Sequence, residues 1–152
     1  MESDRAVVER QLGRPPRSFR RVVVRCPFGR LTVTEQAAYD DAGEPFPTTY
    51  WLTCPHLVAA VSRLEAAGGV ERWSRAAAGD AELGESLERA NEEQRQLRPE
   101  LELGIAGARP AAGSLKCLHA HVAFALARPG YELGERIVAE LDPLWPSVCC
   151  TP

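Results

Sequence analysis

The sequence predicts an α+β fold, mostly helical, with a small antiparallel sheet formed by the N-terminal third of the chain. Two observations lead to this prediction. Short runs of β-branched residues concentrate before residue 55, and apolar residues recur at helical spacing after it. The length of 152 residues suits one hydrophobic core. We therefore expect a single domain over residues 1–152, ending in an irregular tail over residues 142–152.

The N-terminal third begins with a predicted helix over residues 3–12. Ser3 is placed to cap its start and Gly13 to end it. Runs rich in β-branched and aromatic residues then predict strands, separated by segments that carry turn residues. The predicted strands cover residues 18–26, 31–35 and 48–54.

The rest of the chain predicts helices. Pro55 suits the first helical position, where its missing N–H costs nothing, and Ser114 is a candidate N-cap for a strongly apolar helix. Leu83, Leu87 and Leu97 give one charged helix only a thin apolar stripe, which predicts a surface position. The predicted helices cover residues 55–69, 70–78, 80–97, 114–127 and 131–141.

The first 19 residues hold no apolar run of signal-peptide length, and 18 apolar residues never occur in succession. These features predict a cytoplasmic protein with no membrane span. Thiols stay reduced in the cytoplasm, and five cysteines cannot all pair as disulfides. We therefore expect the cysteines to bind metal or to take part in catalysis.

Charge is distributed unevenly along the chain. Residues 1–30 carry eight arginines and three acidic residues, whereas the whole chain has a net charge of −3. A basic segment on an acidic body can attract nucleic acid, a protein partner or an acidic surface of the same chain. No aromatic residues alternate with the arginines as single-strand binding requires, so nucleic acid is the weakest of these expectations.

Three cysteines stand in unusual local motifs: Cys26 in RCPFG, Cys54 in LTCPH and Cys117 in LKCLHAH. Proline after Cys26 and Cys54 stiffens the turn, and a helix start at Cys54 favours the thiolate. Cys117 and His121 are four residues apart, so a helix through both would place them on one face. Two strand ends and one buried helix could bring the three thiols together.

The first hypothesis is therefore a metal-binding protein, because thiolates select zinc or iron–sulfur clusters. The wide cysteine spacing favours a [4Fe–4S] cluster with one iron open to a substrate, and zinc is the alternative. Lys116 beside Cys117 could hold a small anionic substrate. The candidate ligands are Cys26, Cys54, Cys117, Cys149, Cys150, His119 and His121.

Two other hypotheses remain open. In a metal-free thiol enzyme, Cys54 would be the nucleophile and His119 or His121 its base. In a non-enzymatic interaction module, the basic N-terminal segment would bind a partner and the cysteines would be core residues. The aromatic run around Trp51 could line a pocket beside Cys54 or form the core of the sheet. The carboxylates that could orient a catalytic base are Asp40, Asp41 and Glu65.

The motifs RCPFG, PFPTTYWLTCP, SRLE and KCLHAHVAFALA resemble a bacterial, largely actinobacterial, family known as domain of unknown function 501. The resemblance covers essentially the whole chain. It implies that the residues of the three cysteine motifs matter, without implying an activity for them. Similar sequences carry a histidine near the position of Phe124, so a scheme that requires a histidine there does not suit this chain.

Overall fold

The structure, a computed structural model, describes residues 2–109 and 114–150. Across these residues it forms an α+β fold of six helices and one three-stranded antiparallel sheet, which confirms the predicted fold class. A short 3-10 turn at Ile105–Gly107 precedes α5. The elements are α1 (Asp4–Leu12), β1 (Phe19–Arg25), β2 (Leu31–Gln36), β3 (Tyr50–Leu52), α2 (Pro55–Ala66), α3 (Gly69–Gly79), α4 (Ala81–Leu97), α5 (Leu118–Ala127) and α6 (Glu132–Ala139).

The sheet has the strand order β1-β2-β3, with both neighbouring pairs antiparallel. A tight turn joins β1 to β2: the N–H of Gly29 donates to the carbonyl of Cys26 at 2.9 Å, and Gly29 adopts a φ of +80°. β3 is shorter than the predicted strand over residues 48–54. After β3, the N–H of Thr53 still donates to the carbonyl of Thr32, and Cys54 then leads into α2.

Helix starts follow the chemistry of their capping residues. The hydroxyl of Ser3 accepts from the N–H of Ala6 at 3.2 Å, and Gly13 ends α1 with a φ of +73°. Pro55 occupies the first turn of α2, as predicted. These helix boundaries can be predicted from sequence because each of them depends on one local residue.

The predicted apolar stripe of α4 is right at Leu83 and at Leu87, which packs half-buried against the core, but it is wrong at Leu97 and misses the polar members of the buried face. The buried residues are Leu83, Ser86, Ala90 and Gln94, whereas Leu97 is among the exposed apolar residues. The polar members have partners in the core: the Ser86 hydroxyl accepts from the N–H of Leu133, and the Gln94 amide donates to the Thr49 hydroxyl. A count of leucines cannot find a face built from small and hydrogen-bonded residues.

The predicted start of α5 is also wrong. The helix begins at Leu118, and Ser114 instead accepts from the N–H of Lys116 within a turn. Lys116 has a φ of +67° and Cys117 is extended, so neither continues a helix backwards. A carboxylate oxygen of Glu65 accepts from the N–H of Leu118 at 2.8 Å. The helix start is therefore capped from α2, which local sequence does not reveal.

α5 is the central helix of the core. Leu118, Val122 and Ala123 are fully buried, and the helix packs mainly against β3 and α6. A helix with so many apolar positions is predicted to be buried, and this prediction is confirmed. None of the helices in the described ranges is long and apolar enough to cross a membrane.

The tail after α6 has no helix or strand over residues 142–150, as predicted, and its last residues, 151–152, lie outside the described part. It turns back to the start of α2, where the carbonyl of Pro143 lies 3.3 Å from Nε2 of His56. Leu144 and Trp145 pack half-buried against the core. The described part of the tail therefore reaches residues 54–56.

Candidate functional site

The structure places the seven predicted ligands in three separate surroundings. Four cysteines line one small cavity, which we call the thiol pocket. Cys117 and His119 lie with a carboxylate in what we call the Glu–Cys–His cluster, and His121 is in the core. The thiol pocket consists of Cys26, Cys54, Cys149 and Cys150. The Glu–Cys–His cluster consists of Glu65, Cys117 and His119.

The Glu–Cys–His cluster joins the end of α2 to the start of α5. Its three candidate ligand atoms lie within 4.8 Å of one another, the one such group among the described residues. Nδ1 of His119 is 3.2 Å from Oε1 of Glu65 and 3.9 Å from Sγ of Cys117. All three residues are half-buried. The end of α2, the first turn of α5 and the residue just before it therefore fix the spacing of three different ligand types.

Hydrogen bonding identifies the protonated nitrogen of His119. Nε2 lies 3.2 Å from the carbonyl of Val58 and 3.2 Å from the hydroxyl of Ser62. A carbonyl only accepts, so Nε2 carries the hydrogen. In neutral imidazole the lone pair of Nδ1 then faces the carboxylate of Glu65. Two acceptors in contact require a proton or a cation between them.

Electrostatics agree with this description. Contact with the Cys117 thiol raises the pKa of His119, and the negative charge of Glu65 adds to the effect, while burial opposes both. The site thus favours positive charge at Nδ1. The other carboxylate oxygen of Glu65 accepts from the N–H of Leu118, which holds the carboxylate in place.

A pocket of about 640 Å³ opens beside the cluster, with Cys117 and His119 in its wall. Its other walls come from β3, α1 and the first turns of α2, including Trp51, Pro55 and Val58. No Asp, Glu, Lys or Arg is among the described residues that line it. Of the aromatic run, Tyr50 is buried against Phe124 and also contributes to the pocket wall, but this pocket lies beside Cys117, and the described residues that line it do not include Cys54, contrary to the expectation from sequence.

The thiol pocket lies between the β1–β2 turn, the start of α2 and the tail. Its cavity is about 10 Å³. Sγ of Cys54 and Sγ of Cys150 are 3.8 Å apart, far more than the ~2.05 Å of a disulfide. Burial is the main cause that raises the pKa of the Cys54 thiol to about 11. Cys54 therefore lacks the thiolate character of a nucleophile at neutral pH.

The predicted partners of Cys54 are elsewhere. His119 contacts Cys117, and the ring of His56 faces the Pro143 carbonyl, so no described contact gives Cys54 a histidine base. Of the predicted orienting carboxylates, Asp40 binds Arg17 and the local backbone, and only Glu65 reaches a histidine.

His121 does not share a face with Cys117, because Cys117 precedes the helix that contains His121. His121 is almost fully buried. Its Nδ1 accepts from the Tyr131 hydroxyl at 2.8 Å, and its Nε2 donates to the Leu115 carbonyl at 3.1 Å. Burial lowers the pKa of His121 to about 4. Both nitrogens are engaged inside the core, so His121 is not placed to bind a metal.

The arginine-rich N-terminal segment pairs with carboxylates of the same chain. Arg17 binds Asp40 at 2.8 Å, and Arg21 binds Glu35 at 3.1 Å. Arg25 binds Asp4. This is the pairing expected when the basic segment faces acidic residues of its own chain.

Residues 22–139 match the family described as "Protein of unknown function (DUF501)". The match covers most of the chain, so the protein belongs to this family, in agreement with the resemblance seen in its motifs. It includes all three residues of the Glu–Cys–His cluster but ends before Cys149 and Cys150. Searches of curated proteins and of solved structures found no match to the chain.

Proposed function

We propose that this protein binds a transition-metal ion, best matched by zinc, at the Glu–Cys–His cluster, and that one coordination position faces the adjacent pocket. One observation carries the proposal: a carboxylate, a thiol and an imidazole lie within 4.8 Å of one another. Two of them, the thiol and the imidazole, also belong to the wall of a 640 Å³ pocket.

The spacing of the ligand atoms supports a tetrahedral ion. Zinc binds nitrogen and oxygen at ~2.0–2.2 Å and sulfur at ~2.3 Å, which places N and O about 3.4 Å apart and N and S about 3.6 Å apart. The corresponding distances here are 3.2 Å between Nδ1 and Oε1 and 3.9 Å between Nδ1 and Sγ. These two distances would therefore change by only a few tenths of an ångström on binding, and the third separation, between Oε1 and Sγ, is within 4.8 Å.

The surroundings of His119 also support metal binding. A histidine that binds a metal through one nitrogen usually donates its other N–H to a carbonyl or carboxylate, which fixes the ring. The Val58 carbonyl accepts from Nε2 in this way, and the Ser62 hydroxyl lies at the same distance. Nδ1 is thereby left as the metal-binding nitrogen.

The composition of the cluster favours a single ion over an iron–sulfur cluster. An iron–sulfur cluster requires several thiolate ligands, whereas Cys117 is the one thiol of the Glu–Cys–His cluster. Three protein ligands and a fourth, open position are the pattern of catalytic zinc, where the ion polarises a bound water or a substrate carbonyl. The pocket is the place from which such a ligand would approach.

The pocket walls favour an uncharged, partly apolar small molecule over the anionic substrate considered from sequence. Lys116 does not serve the pocket, because its Nζ reaches only to the carbonyl of Gly107, at 3.5 Å. The ligand would place one polar group on the ion and its apolar part against Trp51 and Val58.

A metal-free thiol site is the second candidate, favoured by the contact between Cys117 and His119. In it, Cys117 would be the nucleophile, Nδ1 of His119 would accept its proton, and the adjacent carboxylate of Glu65 would stabilise the resulting imidazolium. It uses the same three residues in different roles, so a measurement of metal content separates the two proposals.

The test is a zinc titration of the reduced full chain, in competition with a chromogenic chelator. Glu65→Gln and His119→Gln should each lose one zinc equivalent relative to the wild type. The matched control is Glu71→Gln, an exposed glutamate paired with Arg75, which should retain it. Equal zinc binding by all four proteins would overturn the metal proposal. A reactive Cys117 in zinc-free protein would then favour the thiol site.

A further inference from the structure

Four of the five cysteines are left outside the Glu–Cys–His cluster, and all four line the thiol pocket. They come from three segments distant in sequence. Cys26 stands at the β1–β2 turn, Cys54 immediately precedes α2, and Cys149 and Cys150 belong to the tail. The fold therefore brings the chain's remaining thiols to one place.

Two of these thiols already have the spacing of ligands on a shared ion. Two thiolates bound to one tetrahedral zinc are about 3.8 Å apart, since each Zn–S bond is ~2.3 Å long. Sγ of Cys54 and Sγ of Cys150 are 3.8 Å apart. Within the described chain, no third sulfur lies within 4.8 Å of both. An ion would therefore have to draw Cys26 and Cys149 inward.

Both of those residues lie outside the helices and strands. Cys26 begins a tight turn between strands, and Cys149 belongs to a segment with no helix or strand. Phe28, Leu31 and Trp145 also line the pocket, together with Arg30. Cys54 is buried whereas Cys150 is exposed, so the surroundings stabilise the neutral thiol mainly at Cys54 while no cation is present.

We propose that the thiol pocket is a second, structural metal site, in which Cys26, Cys54, Cys149 and Cys150 bind one zinc ion and fasten the C-terminal tail to the start of α2. Each thiol releases one proton to solvent as its sulfur bonds to the ion, so binding weakens in acid. Four sulfur ligands leave no open position, which is typical of a structural site. The site does not depend on the Glu–Cys–His cluster.

The tail has a second contact with the same region, which makes the fastening specific. The Pro143 carbonyl lies beside the His56 ring, two residues after Cys54. The tail is thus already positioned over the start of α2 before Cys149 and Cys150 are reached. Loss of the ion should release the end of the tail while α2 and the sheet keep their packing.

Cobalt(II) and zinc titrations of the reduced full chain under argon test the proposal. The wild type should bind two equivalents, and Cys54→Ser should bind one. Cobalt should give the strong sulfur-to-metal absorption of several thiolates in the wild type, and Cys54→Ser should lose it. Cys117→Ser is the matched control: it makes the same chemical change in the other site and should keep that absorption. Since Cys54 is buried, the exposed Cys150→Ser serves as a second variant that preserves folding.

The two proposals fail separately in this experiment. Glu65→Gln should keep the cobalt–thiolate absorption, whatever happens at the Glu–Cys–His cluster. If Cys54→Ser and Cys150→Ser bind as much metal as the wild type, the structural site is excluded. Isolation of a Cys54–Cys150 disulfide from protein prepared anaerobically with zinc would also overturn it, because the pair would then be a redox couple.

Discussion

The segment around α5 has a pocket side and a core side, and each side holds one histidine. His119 and His121 are two residues apart, yet one lies in a pocket wall beside a thiol and a carboxylate and the other is almost fully buried. His121 has fixed partners at both nitrogens, whereas Nδ1 of His119 faces an acceptor. Two histidines of one short motif can therefore have different roles, His121 in the stability of the core and His119 in the chemistry of the pocket.

The largest effect on stability is expected on the core side, at Phe124. Its ring packs edge-to-face against Tyr50 and Tyr131, with centroids 5.6 and 5.9 Å away. Phe124→Ala should lower the free energy of unfolding by about 3–5 kcal/mol, because a buried aromatic ring is replaced by a cavity. Urea denaturation measures this loss. A cost below 1 kcal/mol would contradict the description of this side as the core.

His121→Leu should follow, with a loss of about 2–4 kcal/mol in the same measurement. The Tyr131 hydroxyl and the Leu115 carbonyl would each lose a buried hydrogen-bond partner. The variant should nevertheless retain zinc binding at the Glu–Cys–His cluster. If it lost zinc while its stability was unchanged, the division between the two histidines would be wrong.

On the pocket side, Glu65→Gln tests whether Glu65 is a metal ligand. The amide removes one charged ligand while its oxygen can still accept from the N–H of Leu118, the contact that caps α5. We expect zinc affinity at this site to fall by about 100-fold or more, and the unfolding of the zinc-free protein to change by less than about 1 kcal/mol. Calorimetric titration beside Glu71→Gln checks both statements. A large loss of zinc-free stability would mean that Glu65 is mainly a capping residue.

Ser62→Ala should have the smallest effect. Its hydroxyl supports Nε2 of His119 together with the Val58 carbonyl, which the substitution leaves in place. Zinc affinity should therefore fall by about tenfold or less. Comparison with Ser114→Ala, which changes a serine outside the cluster, provides the control. A loss as large as that of Glu65→Gln would make Ser62 a ligand in its own right.

Local signals made much of the fold predictable. The caps at Ser3 and Pro55, the β-branched strands and the apolar α5 each follow from a few adjacent residues. The start of α5 was not predictable, because the group that caps it, Glu65, lies more than 50 residues earlier in the chain. For the same reason the expected pairing of Cys117 with His121 was wrong.

The cluster itself was only partly predictable. Cys117 and His119 stand out in one motif, but Glu65 appeared only as a carboxylate that could orient a base. A signal was present on α2: Val58, Ser62 and Glu65 follow the spacing of one helix face, and all three contact α5 or its first residues. The sequence shows that these residues share one face of α2, whereas only the packing of α2 against α5 shows that this face contacts His119 and Leu118.

The most direct test is anomalous X-ray scattering at the zinc edge from crystals of the zinc-loaded wild-type protein. We predict a zinc peak between Glu65, Cys117 and His119, with the ion about 2.0–2.3 Å from Oε1, Sγ and Nδ1. A peak in the thiol pocket would bear on the second site alone. Well-ordered crystals with zinc absent from the Glu–Cys–His cluster would contradict the central claim.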